Sequence, residues 1–244
     1  RLLYVVGTPQ SKHLQMVYEA AREAGWLSEP ARAEHVAFGS VLGSDGKILR
    51  TRAGETVKLI ELLDEAVARA ATVVAEKNPS LTEGERDQVA QIVGIGAVKY
   101  ADLSTDRRRD YVFDFDRMLS FDGNTAPYLQ YAHARINSIF RRAGIDRPGA
   151  TERVVVTEPA ERALALELLG FAGVIDDVAD TLEFHRLAGY LYGLATTFTT
   201  FYEQCPVLRA DGDVRTSRLV LCDLTARTLA VGLGLLGIVA PDRM

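Results

Sequence analysis

Cysteine is scarce in this sequence. Its 244 residues hold only Cys205 and Cys222, far apart and with no Cys-x-x-Cys pair or neighbouring His. That spacing argues against a metal site and fits two buried free thiols in a reducing cytosol. Long apolar runs are missing as well: none approaches the roughly 20 residues that cross a bilayer as a helix. No signal peptide is expected, because the chain opens Arg1-Leu2-Leu3-Tyr4-Val5-Val6-Gly7, which reads as a buried strand. An opening without Met, straight into a strand, predicts that an upstream portion has been cut away or left out. An excess of basic charge is lacking too. The net charge is −5, so composition does not point to nucleic acid, and any RNA contact must rest on local patches and stacking surfaces. Neither an internal repeat nor a low-complexity tract occurs. What remains is an ordinary globular composition, 48% hydrophobic and 25% charged, able to bury a core in one large domain or two modest ones.

The predicted organisation is mainly α with a small α/β N-terminal part. Residues 2–6 form a strand, Gly7-Thr8-Pro9 a turn, and residues 10–24 a helix that stops at Gly25. This is the unit from which parallel sheets are built. Residues 33–38 form another strand, and the apolar pairs Val41-Leu42 and Ile48-Leu49 flank Asp45-Gly46 as a hairpin. From Thr56 onward the pattern turns helical: residues 57–75, then 83–103, then a polar-aromatic linker over 113–120. Asn124-Thr125-Ala126-Pro127 supplies a capping residue and an early Pro, which predicts a helix from Asn124 to Gly144. A linker over 146–157 precedes helical stretches over 158–169, 172–203 (broken near residues 185–189) and 214–237. Three parts are expected: residues 1–54, a helical connector over 55–123, and an all-helical domain over 124–244.

Four features carry candidate chemistry. Lys47, Arg50 and Arg52 cluster about Gly46 in the hairpin, ahead of a helix start. Cations and free N–H groups there can stabilise phosphate charge; a solvated turn would carry the same charges. Gln10 and His13 sit at the helix start, either as structural residues or facing a ligand. Gly94-Ile95-Gly96 could suggest a phosphate loop, but it lies inside a helical pattern and reads as close helix packing. The helix after Asn124 holds the most informative pattern. At 100° per residue, Tyr128, Tyr131, Arg135 and Arg142 fall within about 60° of one another, beside a core stripe of Leu129, Ala132, Ile136 and Ile139. Tyrosine and arginine can stack on bases at about 1–3 kcal/mol each. The other reading makes them core-edge and solvated residues.

Specific segments resemble the arginyl-tRNA synthetases. The run from Gly43 through Asp45-Gly46-Lys47 to Arg50, Arg52 and Gly54 resembles the class I signature loop as that family carries it, with Ile48 where the motif's first lysine would stand. Tyr4-Val5-Val6-Gly7-Thr8-Pro9-Gln10 with His13 resembles the late strand–helix junction of its nucleotide-binding fold. Phe121-Asp122-Gly123-Asn124-Thr125-Ala126-Pro127-Tyr128 matches its connector, and Pro127 to Arg135 resembles the opening helix of its anticodon-binding domain. The closing Gly237-Ile238-Val239-Ala240-Pro241-Asp242-Arg243-Met244 resembles its C-terminus.

The resemblance implies the end of a Rossmann-like nucleotide-binding fold, a helical connector and an anticodon-binding bundle. It implies catalytic roles for Lys47, Arg50 and Arg52, with Arg52 the candidate surviving cation. Gln10 would bind the substrate arginine, and His13 and Gly46 would lie on the ATP side. Tyr128, Tyr131, Arg135, Arg142 and Met244 would line the anticodon pocket. The expected activity is arginine–tRNA ligation in the cytoplasm by a monomer, with ATP and Mg²⁺, L-arginine and arginine tRNA as partners, and no protein-bound metal. His133 and His185 have no evident partners and read as structural. No His-x-Gly-His occurs in the 244 residues, so the chain alone is expected to be inactive in adenylate formation. Two alternatives stay open: a non-catalytic RNA-binding module, and a helical scaffold that binds only protein.

Overall fold

The structure, a computed structural model, describes residues 1–49, 57–145, 147 and 154–244. The chain divides into two compact units, Arg1–Val57 with Thr105–Asp114, and Lys58–Ser104 with Phe115–Met244.

In the first unit, strand β1 (Leu2–Gly7) lies parallel to β2 (Ala33–Phe38), with Leu2 opposite Ala33 and Gly7 opposite Phe38. Helix α1 (Ser11–Glu23) makes the crossover that a parallel pair requires. A 3₁₀ turn at Thr8–Gln10 leads into it, where Pro9 needs no N–H partner. It ends at Gly25, whose φ of 72° suits a residue without a side chain. Only one face of α1 packs inward, through Tyr18, whose ring stands 5.4 Å from that of Tyr4. The first strand departs from expectation here. Residues 2–5 are 42 to 65% exposed rather than buried. The reason is local: among the described residues of this unit, β1 pairs only with β2, and a single helix cannot cover both faces of a two-stranded sheet.

The predicted hairpin is present. Leu42 and Ile48 form an antiparallel bridge, and the Gly43 N–H donates to the Lys47 carbonyl at 2.8 Å. Strand β3 (Val41–Leu42) also pairs in parallel with β4 (Tyr111–Val112), a partner some 70 residues away that local patterning does not announce. Gly39 permits this approach, because a Cβ there would stand 2.5 Å from the Arg109 carbonyl oxygen.

The second unit is helical. Helices α2 (Leu59–Lys77) and α3 (Glu83–Leu103) form an antiparallel-type pair joined by a short turn. A capping box starts α3: the Thr82 hydroxyl accepts from the Glu85 N–H, and the Glu85 carboxylate accepts from the Thr82 N–H. Gly94 and Gly96 serve packing. A Cβ on Gly94 would lie 2.7 Å from the Val67 backbone, and one on Gly96 would lie 2.9 Å from Gln130 Nε2. The stretch over 113–120 is not all linker, since residues 115–118 form the short helix α4 (Phe115–Met118). Helix α5 (Ala126–Ala143) starts inside the expected Asn124–Pro127 segment, with Thr125 as its cap, and stops as expected at Gly144, φ 60°. Helices α6 (Pro159–Leu169), α7 (Phe171–Thr181), α8 (Phe184–Gln204) and α9 (Gly212–Leu235) complete the bundle. The break expected near residues 185–189 falls earlier. Leu182 adopts φ 57° and ends α7, whereas Gly189 lies inside α8.

The core draws on α5, α6, α8 and α9, and includes Leu129, Ile136, Leu164, Leu191, Phe198, Cys222 and Leu229. Both cysteines are buried free thiols, and burial raises their pKa values. One buried ion pair, Arg218 to Glu161 at 2.6 Å, ties α9 to the first turn of α6. Burial pushes the Glu161 carboxyl pKa upward, but hydrogen bonds from the Thr157 and Glu158 N–H groups and from Arg218 outweigh it and hold the pKa below its ordinary value.

The chain's last residues run along a polar face of α5. Gln130 Nε2 donates to the Val239 carbonyl at 2.8 Å, and His133 Nδ1 donates to that of Pro241 at 2.9 Å. Asn137 Nδ2 donates to the Asp242 carboxylate at 2.8 Å, and Arg141 donates to the Asp242 carbonyl at 2.8 Å. Because the Pro241 oxygen can only accept, His133 carries its proton on Nδ1 and accepts from Asn137 at Nε2. His133 therefore has partners after all: Asn137 one turn along α5, and Pro241 from the other end of the unit's sequence.

Two predictions follow from these contacts. Gly94→Ala forces α2 from α3 and should cost about 1–3 kcal/mol in denaturant unfolding. Gly84→Ala, with nothing near its would-be Cβ, should be neutral or should stabilise by up to about 1 kcal/mol. The second concerns pH. Burial lowers the folded-state pKa of His133 below its ordinary 6.5, so the unfolded chain takes up the extra proton first. Stability present above about pH 6.5 should be lost as pH falls through the folded value. Melting temperatures recorded from about pH 8 down to about pH 5 should show this fall, and His133→Gln should flatten it.

Candidate nucleic-acid interface

The flank of α5 opposite the tail carries the predicted stripe. Tyr131 is 46% exposed and meets Phe121 edge-on, with ring centres 6.3 Å apart. Lys77, at the end of α2, places Nζ 5.1 Å from the centre of that Phe121 ring. Tyr128 is half-buried and packs against Tyr192 of α8 at 5.6 Å. Arg135 lays its guanidinium over Tyr202 of α8 at 4.6 Å, and Tyr202 leans in turn on Phe198 at 6.0 Å. The arrangement explains its residue choices. Tyrosine suits a boundary where one end of the ring is in the core and the hydroxyl meets water. A guanidinium held flat over a ring keeps its edge donors free for a polar ligand.

Tyr128 and Arg135 are thus tied to α8, while Tyr131, on the same flank of α5, is paired with Phe121. Arg142 is exposed two turns further along α5 and makes no ring contact or ion pair with another described residue. Met244 arrives from the other side. Asn78 Nδ2 donates to its main-chain oxygen at 2.9 Å, and Asn78 directly follows Lys77. Contacts therefore run from Tyr131 through Phe121 to Lys77, and the chain's last residue is held at the next position. The sequence reading missed Tyr192, Tyr202, Phe121 and Lys77. A signal existed on α8: Phe198 and Phe201 are fully buried, while Tyr192 and Tyr202, the residues with hydroxyls, lie at the boundary.

In the first unit, Gln10 occupies the N-cap of α1, where its side chain makes no cap hydrogen bond and is exposed. His13 is exposed one turn later. Gly46 takes φ 71° at the hairpin tip, and the Lys47 N–H donates to the Asp45 carboxylate at 3.1 Å. Asp45 thus closes the turn, leaving the Lys47 side chain outward. Arg50 and Arg52 lie outside the described residues. Among the described residues no group of three or more His, Cys, Asp or Glu could hold a metal ion, and no helix is long and apolar enough to cross a membrane.

Comparison with known proteins agrees with both halves of this description. Residues 1–115 match the catalytic domain of the class I (R) tRNA synthetases, and residues 129–244 match the DALR anticodon-binding domain. The arginine–tRNA ligase of Thermobifida fusca is 62% identical over the whole chain, which spans 42% of that relative's length. Among solved structures, arginyl-tRNA synthetase of Thermus thermophilus superposes with a TM-score of 0.86 at 37% identity, covering 99% of this chain and 41% of that one. The Plasmodium falciparum enzyme gives a TM-score of 0.86 at 32% identity, with the same coverage. A catalytic-domain match, an anticodon-domain match and identity along the whole of this chain to part of one kind of ligase leave one assignment: the chain belongs to the arginyl-tRNA synthetase family.

Proposed function

We propose that the protein carrying this chain joins arginine to its tRNA, and that this chain supplies the anticodon contacts and one ATP-side loop. The chain spans 42% of the curated relatives it matches, so the reading concerns a longer protein. The observation that carries it is the two-helix cluster of Tyr128, Tyr131 and Arg135 with Tyr192 and Tyr202. Exposed tyrosine faces beside stacked arginine suit unpaired bases, which every sequence presents as π faces. Local clustering also explains how a chain of net charge −5 could bind RNA.

On the catalytic side, the exposed Gln10 amide would accept from a guanidinium through its carbonyl oxygen. His13 would stand nearby, with Gly46 shaping the loop that carries Lys47, Arg50 and Arg52 to the triphosphate. Such a loop works by charge stabilisation and positioning. Mg²⁺ would arrive with ATP, and no ligand for it is assigned among the described residues. Residues 55–123 would serve as the connector to an anticodon-binding domain over 124–244. A soluble cytoplasmic monomer fits this reading.

Two measurements test it. Tyr131→Ala, at an exposed position, should weaken binding of arginine tRNA roughly 5- to 150-fold, the worth of one stacked base. A tRNA with another anticodon should lose less, and equal losses for both would reduce the surface to generic affinity. Binding should also weaken with rising salt as phosphate contacts release counterions. With arginine tRNA present, the 244 residues alone should show no arginine-dependent pyrophosphate exchange, while the whole protein should show it. Exchange absent from both would favour a non-catalytic RNA-binding module.

A further inference from the structure

Helix α5 has two working faces. With Tyr128 at zero, the RNA-facing stripe lies near 300–360°, whereas Gln130, His133, Asn137 and Arg141 fall at about 140–220°. The second row is spaced three, four and four residues apart, and each member holds one point on residues 239–242. Lys99 of α3 holds the Gly237 carbonyl at 2.6 Å, just ahead of them. Gln130, His133 and Asn137 are all buried, at 0, 5 and 4% exposure. Asn137 fixes the register of this row, because its acceptor is the Asp242 carboxylate and no other residue over 238–243 carries one, whereas main-chain carbonyls recur at every residue.

We propose that this row is a positioning device for base recognition. It sets the register of residues 237–242 so that Met244 reaches Asn78, beside the Lys77–Phe121–Tyr131 edge of the interface. Asn137, Asp242 and Asn78 are then positioning residues: none belongs to the aromatic cluster, and each acts through the place where the chain ends. The inference rests on the anticodon-binding reading above.

The test uses the whole protein carrying these residues, with arginine tRNA and the same tRNA bearing a changed anticodon. Asp242→Ala and Asn78→Ala each remove one hydrogen bond of the strap at partly exposed positions. Each should lower the affinity ratio between the two tRNAs roughly two- to tenfold, leaving the weaker partner's Kd unchanged. Asp242→Asn keeps an acceptor for Asn137 and should restore the ratio. The double alanine variant should lose no more than the worse single one, because both cut the same strap. A lower melting temperature with an unchanged ratio, or a ratio not rescued by Asp242→Asn, overturns the inference while leaving the anticodon reading intact. An unaltered protein with no preference between the two tRNAs overturns the reading, and the inference with it.

Discussion

A helix that buries amide and imidazole donors must find acceptors for them, and in this bundle most of those acceptors come from the far end of the chain. Gln130, His133 and Asn137 lie among apolar neighbours, where an unbonded polar group costs about 1–3 kcal/mol. Their acceptors are the carbonyls of Val239 and Pro241 and the carboxylate of Asp242. Asn137 also accepts from Arg147, which reaches on to Asp223 of α9 at 2.6 Å. One polar row therefore joins α5, α9 and the tail, and it does so on the side of α5 away from the aromatic stripe.

The remainder of the second unit is arranged around that helix. Its apolar stripe meets the α8 and α9 core, Gly96 leaves room for the Gln130 amide, and the tail closes over the remaining face. The flank with Tyr128, Tyr131 and Arg135 is left half-buried to exposed, and α8 sets Tyr192 and Tyr202 against it. The proposed interface is packed in advance, because each ring leans on another ring or on a cation instead of standing alone. Preorganised aromatic surfaces of this kind lose little conformational entropy when a base stacks on them.

Much of this was legible along the chain wherever the cause is local. Thr125, Pro127 and Gly144 mark the ends of α5 through capping and backbone geometry, and the Asp45-Gly46 turn announces the hairpin. The core stripe of Leu129, Ala132, Ile136 and Ile139 follows from a period of 3.6. Illegible were contacts between residues distant in sequence. The parallel pairing of β3 with β4 joins two-residue strands about 70 positions apart. The exposure of β1 depends on how few elements cover it, and no strand encodes its own neighbours. The end of α7 was misplaced because Gly189 carries an obvious signal, whereas Leu182 reaches its left-handed φ only through the surrounding structure.

The sequence by itself determined the elements, the family resemblance and the aromatic and basic stripe of α5, because periodicity, caps and motifs act within a few turns of backbone. Tertiary structure alone decided that Tyr192, Tyr202, Phe121 and Lys77 stand beside that stripe, and which groups His133 takes as its partners. The difference is one of range. A helix face is set by a fixed rotation per residue, whereas the partner of a buried polar group is chosen by how the whole unit packs.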